Sequence, residues 1–135
     1  MYSNILVPIA FDDPGKTHPA IDVARALAAP GAQTTLLHVM ERVPGYAASY
    51  LPEDYIALTR ESIQADLTKL AESATNGRGV VITGHSGRSI LDWADNNKVD
   101  LIVIASHQPG MQDLLLGSTA TQVVRHAHCA VHVIR

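Results

Sequence analysis

The chain has a single cysteine, Cys129, in 135 residues. It has no partner for an internal disulfide, which fits a reducing, cytoplasmic setting. Aromatic residues make up only 4%, so a core must be assembled from Val, Ile, Leu and Ala, the composition of a parallel sheet buried on both faces. Charged residues are also sparse, at 17%, with a net charge of −3. No basic face is available to track a phosphate backbone, so a nucleic-acid partner is not expected. No apolar run approaches the ~18 residues of a membrane span, and Met1-Tyr2-Ser3-Asn4 lacks the basic and apolar regions of a signal peptide. A Walker-type Gly-Lys-Ser, a Ser/His/Asp arrangement and an acid pair are all missing, so catalytic machinery is not expected.

What is present alternates between short β-branched runs and longer helical patterns, within a length that suits one domain with one core. Asn4 to Ile9 reads as a first strand, too uniformly apolar to have a wet face. Thr17 can cap a helix with Pro19 in its first turn and Ile21, Ala24, Leu27 and Ala28 at helical spacing; Pro30-Gly31 ends it. Thr34 to Val39 is a second strand. Glu41 to Pro52, with Pro44, Gly45 and three nearby tyrosines, reads as a surface loop or lid. A long helix is expected from Glu53 to Ser73, with Ile56, Ile63, Leu67, Leu70 and Ala74 in one stripe. Asn76-Gly77-Arg78-Gly79 breaks it. Val80 to Thr83 is a third strand, Gly84 to Gly87 a tight turn, and Ser89 to Asn97 a short helix. Asp100 to Ala105 is a fourth strand, Gly117-Ser118 opens a last helix to Ala127, and Val131 to Ile134 closes the chain. Five strands separated by four helices must run parallel, which gives an α/β, doubly wound sheet with helices on both faces.

In such sheets ligands bind at the carboxyl ends of the strands, where the strand order reverses. The segments to watch are Ala10-Phe11-Asp12-Asp13, Ser106-His107-Gln108-Pro109-Gly110 and Gly117-Ser118-Thr119. The last opens a helix, so a phosphate there would meet free N–H groups, the Ser118 hydroxyl and the helix dipole. Alternatively Ser118 simply caps the helix. Asp12 and Asp13 could hold magnesium against phosphates, though a capping role beside Pro14-Gly15 is simpler. His107 at the mouth could bond a phosphate or ribose, or face solvent.

Asn4-Ile-Leu-Val-Pro8-Ile9, Leu36-Leu37-His38-Val39, Gly84, Asp100-Leu-Ile-Val-Ile-Ala-Ser-His107 and Leu114-Leu-Leu-Gly-Ser118 resemble the universal stress protein family. So do the ending runs Val123 to Ala127 and Cys129 to Ile134. The likeness covers essentially the whole chain, and the run Ala105 to Pro109 is similar to a bacterial subgroup with a shortened loop. The resemblance implies a Rossmann-like, five-stranded parallel sheet ordered 3-2-1-4-5. It also implies an ATP- or nucleotide-binding regulatory protein of the stress response that dimerises and at most hydrolyses ATP slowly or autophosphorylates. The nucleotide-binding positions it implies are Pro8, Ile9, Ala10, Val39, Ala105, Ser106, His107, Gly117, Ser118 and Thr119, with ATP as ligand and magnesium as its companion. Gly117 and Ser118 match the end of the family's glycine-rich phosphate motif. Ala105 and Gln108 stand where its first two glycines fall, and Ala10 replaces the aspartate that recognises the nucleoside. These departures keep an alternative open: a ligand-free member that acts through protein contacts.

His126, His128 and His132 surround Cys129, but they divide between a helix end and a strand, a poor zinc arrangement. Trp93 could pack at its helix margin or face a partner. The closing strand Val131 to Ile134 would lie at the sheet's edge in the order 3-2-1-4-5. With neither proline nor charge before Arg135, it is expected to pair with its two-fold copy in a homodimer, burying Val131 and Val133.

Overall fold

A computed structural model describes residues 1–12, 14–106 and 116–135. Its elements run β1 (Tyr2–Pro8), α1 (Pro14–Leu27), β2 (Ala28–Met40), α2 (Gly45–Ala48), α3 (Tyr55–Ala71), β3 (Gly77–Thr83), α4 (Ser86–Asn96), β4 (Leu101–Ala105), α5 (Ser118–His126) and β5 (Ala130–Ile134). All five strands join one parallel sheet in the order β3-β2-β1-β4-β5. Alternation along the strands divides the interior in two. Ile5, Val7 and Ile9 pack with Ile21, Ala24, Leu67 and Ala71 beneath α1 and α3. Leu6, Leu37, Ile102 and Ile104 pack with Ile90, Leu91, Ala94 and Val123 beneath α4 and α5. Both faces are therefore dry, as the uniformly apolar strand runs require.

Boundaries move where local signals compete. α1 begins at Pro14, not Thr17, because proline is well suited to a first helical position; Pro19 lies inside the helix. Pro30-Gly31 does not separate α1 from β2. The strand starts at Ala28, opposite Tyr2, and its register then jumps so that Gln33 faces Asn4. Gly31 sits in that irregularity with φ +79°, the left-handed conformation that glycine adopts freely. β3 likewise begins at Gly77, inside the run expected to be a break. A Cβ on Gly77 would stand 2.1 Å from the Ala71 carbonyl oxygen, and one on Gly79 2.6 Å from Leu67 Cβ. These glycines let α3 lie directly on β3. α4 starts at Ser86, and one short helix, α2, forms in the segment expected to be a loop. Ile56, expected in the α3 stripe, is exposed, and the buried positions of that helix are Leu67 and Ala71.

The sheet's two edges are finished differently. Along β3, Arg60 Nη1 donates to the Val81 carbonyl (3.0 Å) and Gln64 Nε2 to the Gly79 carbonyl (2.8 Å), so α3 satisfies the outward main chain. Among the described residues no side chain bonds to the main chain of Ala130–Ile134 on β5. β5 lies at an edge as expected, but Val131 and Val133 already pack partly against the α4/α5 core. Trp93 also packs there, with the Arg78 guanidinium 5.5 Å from its ring centre. Among the described residues no helix is long and apolar enough to cross a membrane.

Candidate functional site

The chain leaves β1 toward β2 and β3, then returns past β1 to build β4 and β5. The order thus reverses between β1 and β4, and the helices that follow them, α1 and α5, pack on opposite faces of the sheet and leave a crevice between them. A cavity of about 520 Å³ opens there, within the usual range for a small-molecule site.

Nearly every residue expected at the site lines this cavity. Pro8, Ile9 and Ala10 come from the end of β1, Val39 from β2, Ala105 and Ser106 from β4, and Gly117, Ser118 and Thr119 from the start of α5. His107 lies outside the described residues, as do Asp13 and the run from Gln108 to Leu115. Asp12 reaches the rim.

The α5 end is rich in unmet donors. Gly117 is the N-cap residue, so Ser118 is the first helical residue and does not cap; no side chain caps the helix. The Gly117 amide donates to the Ser106 carbonyl (2.6 Å), and Thr121 N–H makes the first bond back to the Gly117 carbonyl (2.9 Å). The amides of Ser118, Thr119 and Ala120 consequently have no intrahelical acceptor. Ser106 is fully buried, its N–H bonded to the Ile134 carbonyl at 2.7 Å, yet its hydroxyl has no hydrogen-bond partner. A buried hydroxyl left unpaired carries a desolvation cost of ~1–3 kcal/mol. The α1 and α4 N-termini converge on the same space, bringing Lys16, Thr17 and Ser86 to its wall.

The other end is apolar and aromatic. Leu37, Val39, Ile90 and Ile104 provide the walls. His38 Nδ1 lies 2.8 Å from the Ile9 carbonyl. A carbonyl only accepts, so Nδ1 is the donor in this contact. Phe11 tilts over His38 with ring centres 5.1 Å apart at 58°.

Phe11 lies in a segment the sequence marks out, but sequence reasoning does not reach Lys16, His38, Glu41 and Ser86 as site residues. A helix start at Thr17 leaves Lys16 in a loop; Pro14 is the signal that puts it in the first turn, over the sheet. His38 adjoins Val39 in one strand end, and only the fold shows that both reach the cavity. At the opposite end of the sheet, His128 pairs with Asp95 (3.2 Å) on the surface. Burial, then Asp95 and Asp100, push the Cys129 thiol above its ordinary range. Among the described residues no three His, Cys, Asp or Glu side chains gather as metal ligands.

The chain is an α/β protein with a five-stranded doubly wound sheet and a cavity at its switch point, where open sheets of this kind bind ligands. The model of the Universal stress protein family matches residues 1–135, and the chain belongs to that family. It is 32% identical over 140 residues to Universal stress protein A homolog 2 of Coxiella burnetii, across 99% of this chain and 95% of that protein. The solved universal stress protein UspA from Lactobacillus plantarum superposes with a TM-score of 0.73 at 27% identity, over 99% of this chain and 98% of that one. More distant neighbours share the fold and hold adenine nucleotides. One universal stress protein is in complex with cAMP (TM-score 0.73, 17% identity, 99% and 97% covered). Another, from Archaeoglobus fulgidus, holds dAMP (0.63, 18%, 99% and 98%), and one from Arabidopsis thaliana has AMP bound (0.61, 18%, 98% and 90%).

Proposed function

We propose that residues 1–135 act as one nucleotide-binding, regulatory unit of the universal stress type, taking ATP or a related adenine nucleotide and working by binding rather than turnover. The observation that carries this reading is the uncapped N-terminus of α5 beside the buried, unpartnered Ser106 hydroxyl. Donors without acceptors facing a cavity favour an anion with several oxygens, and a phosphate supplies them. The phosphates would rest on the amides of Ser118 and Thr119 at the Gly117 turn, with Ser106 below. Pro8, Ile9, Ala10, Val39 and Ala105 would shape the nucleoside end, the apolar walls taking the base. The residues present fit such a ligand at both ends. Asp12, which lines the cavity together with Glu41, would be the carboxylate to meet a magnesium ion carried by the phosphates. Neighbours holding cAMP, dAMP and AMP support an adenine nucleotide.

Calorimetry with ATP tests the reading. The unaltered chain should bind, and Gly117→Val, whose side chain obstructs close approach to the α5 amides, should lose affinity about tenfold or more while melting at the same temperature. No affinity in the unaltered chain would favour the member that acts through protein contacts alone.

The edge of β5, to whose main chain no side chain bonds among the described residues, against the covered edge of β3, supports a homodimer through Val131–Ile134. Sedimentation at tens of micromolar should give a dimer; a monomer overturns this pairing.

A further inference from the structure

Exposed apolar side chains are not spread evenly over the molecule. Among the described residues eight large ones stand exposed, and five of them, Tyr46, Tyr50, Tyr55, Ile56 and Leu58, fall between the start of α2 and the first turn of α3. α2 buries none of its residues, and Tyr46 and Tyr50 are 81% and 87% exposed. α3 buries only Leu67 and Ala71, in its second half, so its first turn leaves large apolar side chains to solvent. Scattered exposed apolar residues need no explanation, but a concentration of them marks an interaction surface. Tyrosine suits such a surface, because a rigid ring offers a large contact area at little entropic cost.

The same stretch holds the chain's net charge. Residues 41–66 carry five acids, Glu41, Glu53, Asp54, Glu61 and Asp66, against two bases, Arg42 and Arg60, a balance of −3. The whole chain is also at −3, so everything outside this stretch balances. Arg60 is turned inward, to the Val81 carbonyl and the Thr83 hydroxyl. Helix capping does not use the Asp54 carboxylate: Asp54 is the N-cap residue of α3, and its side chain makes no cap bond.

We propose that this face docks a basic amphipathic helix of a partner protein. The partner's apolar stripe would lie on the tyrosines, Ile56 and Leu58, and its Lys or Arg flanks would meet Glu53, Asp54 and Glu61. Charge complementarity selects this occupant. An anionic membrane surface is repelled, since helices that lie on membranes carry Lys and Arg around their apolar face. A second copy would set one acidic rim against another. Strand addition is closed off as well, because Arg60 and Gln64 already bond to the Val81 and Gly79 carbonyls on the edge of β3. A helix needs no main-chain partner and packs through its side chains. Glu41, where the stretch begins, lines the cavity, so the partner would dock beside it. The proposal does not depend on what the cavity binds.

The test is fluorescence anisotropy of the full chain with a labelled synthetic peptide of about 18 residues, long enough to form a helix, carrying a Leu stripe flanked by Lys. A second peptide has Glu in place of each Lys. The Lys peptide should bind about tenfold or more tightly than the Glu peptide. Tyr50→Ser and Leu58→Ser, at exposed positions where melting should not change, should each weaken it about tenfold. Glu53→Gln and Asp54→Asn should each weaken it about two- to fivefold, and less as salt rises. Equal affinity for the two peptides, no binding of the Lys peptide, or affinity untouched by Tyr50→Ser and Leu58→Ser overturns the proposal. So does binding to phosphatidylglycerol vesicles in preference to the Lys peptide, which gives the face to a membrane. Self-association that Tyr46→Ser abolishes gives it to a second copy and overturns the proposal too.

Discussion

The two ends of the sheet are built from the same strands and treat their polar groups in opposite ways. At the amino end the Asp100 carboxylate accepts the amides of Ser3 (2.9 Å) and Asn4 (3.0 Å), and the Asp100 amide returns a bond to the Asn4 carbonyl (2.9 Å). The Asn4 side chain donates to the carbonyls of Asn97 (2.7 Å) and Lys98 (3.3 Å), where α4 has ended and Lys98 turns at φ +56°. At the carboxyl end the first α5 amides and the Ser106 hydroxyl are left unmatched among the described residues. Parallel strands joined by helices explain the contrast. Each of the crossover helices α1, α3, α4 and α5 starts above the carboxyl end, concentrating donors there, and finishes below the amino end, concentrating carbonyls there. The chain closes the amino end with its own side chains, and a cavity opens at the carboxyl end.

The largest effect that would sharpen this contrast is expected from Asp100→Ala. Losing an ionic acceptor shared by two amides should cost about 2–3 kcal/mol of stability, read from urea unfolding, with ATP affinity unchanged in the folded protein. A stable variant with altered ATP affinity would break the division between a structural end and a binding end.

Ser106→Ala should act in the opposite sense. Removing a buried hydroxyl that has no partner should stabilise the fold by up to ~1 kcal/mol and weaken ATP. A clear loss of stability would show that the hydroxyl is already satisfied in the folded protein and that the carboxyl end is not waiting for a ligand.

The smallest effect belongs to Cys129, at the start of β5 on the amino end. Burial, Asp95 and Asp100 all disfavour its thiolate, so the folded state holds the proton more tightly than the unfolded chain. The resulting stability is present below the ordinary thiol range and is lost as pH rises through it toward the raised folded value. The pH profile of thiol modification should lie at higher pH for native than for urea-unfolded protein, and Asp95→Asn should bring the native profile down slightly. Coincident native and unfolded profiles would show that this acidic end does not act on the thiol.

Much of the fold is legible because uniformly apolar runs such as Leu101 to Ala105 have one reading between helices: buried parallel strands. The site is legible for a related reason. Pro8 to Ala10, Val39, Ala105-Ser106 and Gly117 to Thr119 follow strand ends or open a helix, and the topology sends such positions to one end of the sheet. Glycines mislead where they serve contact rather than chain reversal. Gly77 and Gly79 read as a break in sequence, but they are strand residues on which α3 rests, a close approach that no local pattern records.

The sequence by itself determined the α/β class, the five strands, their parallel sense and the end of the sheet at which the cavity opens, since each follows from hydrophobic periodicity and connection rules acting over short stretches. Tertiary structure alone decided which donors stay unpaired. That Ser106 is buried with no hydroxyl partner among the described residues, that Lys16 reaches Arg135, and that Arg60 and Gln64 cover β3 depend on groups brought together from distant parts of the chain. Hydrogen-bond satisfaction is a property of the packed whole, because a donor becomes costly or useful only once the fold has taken its water away.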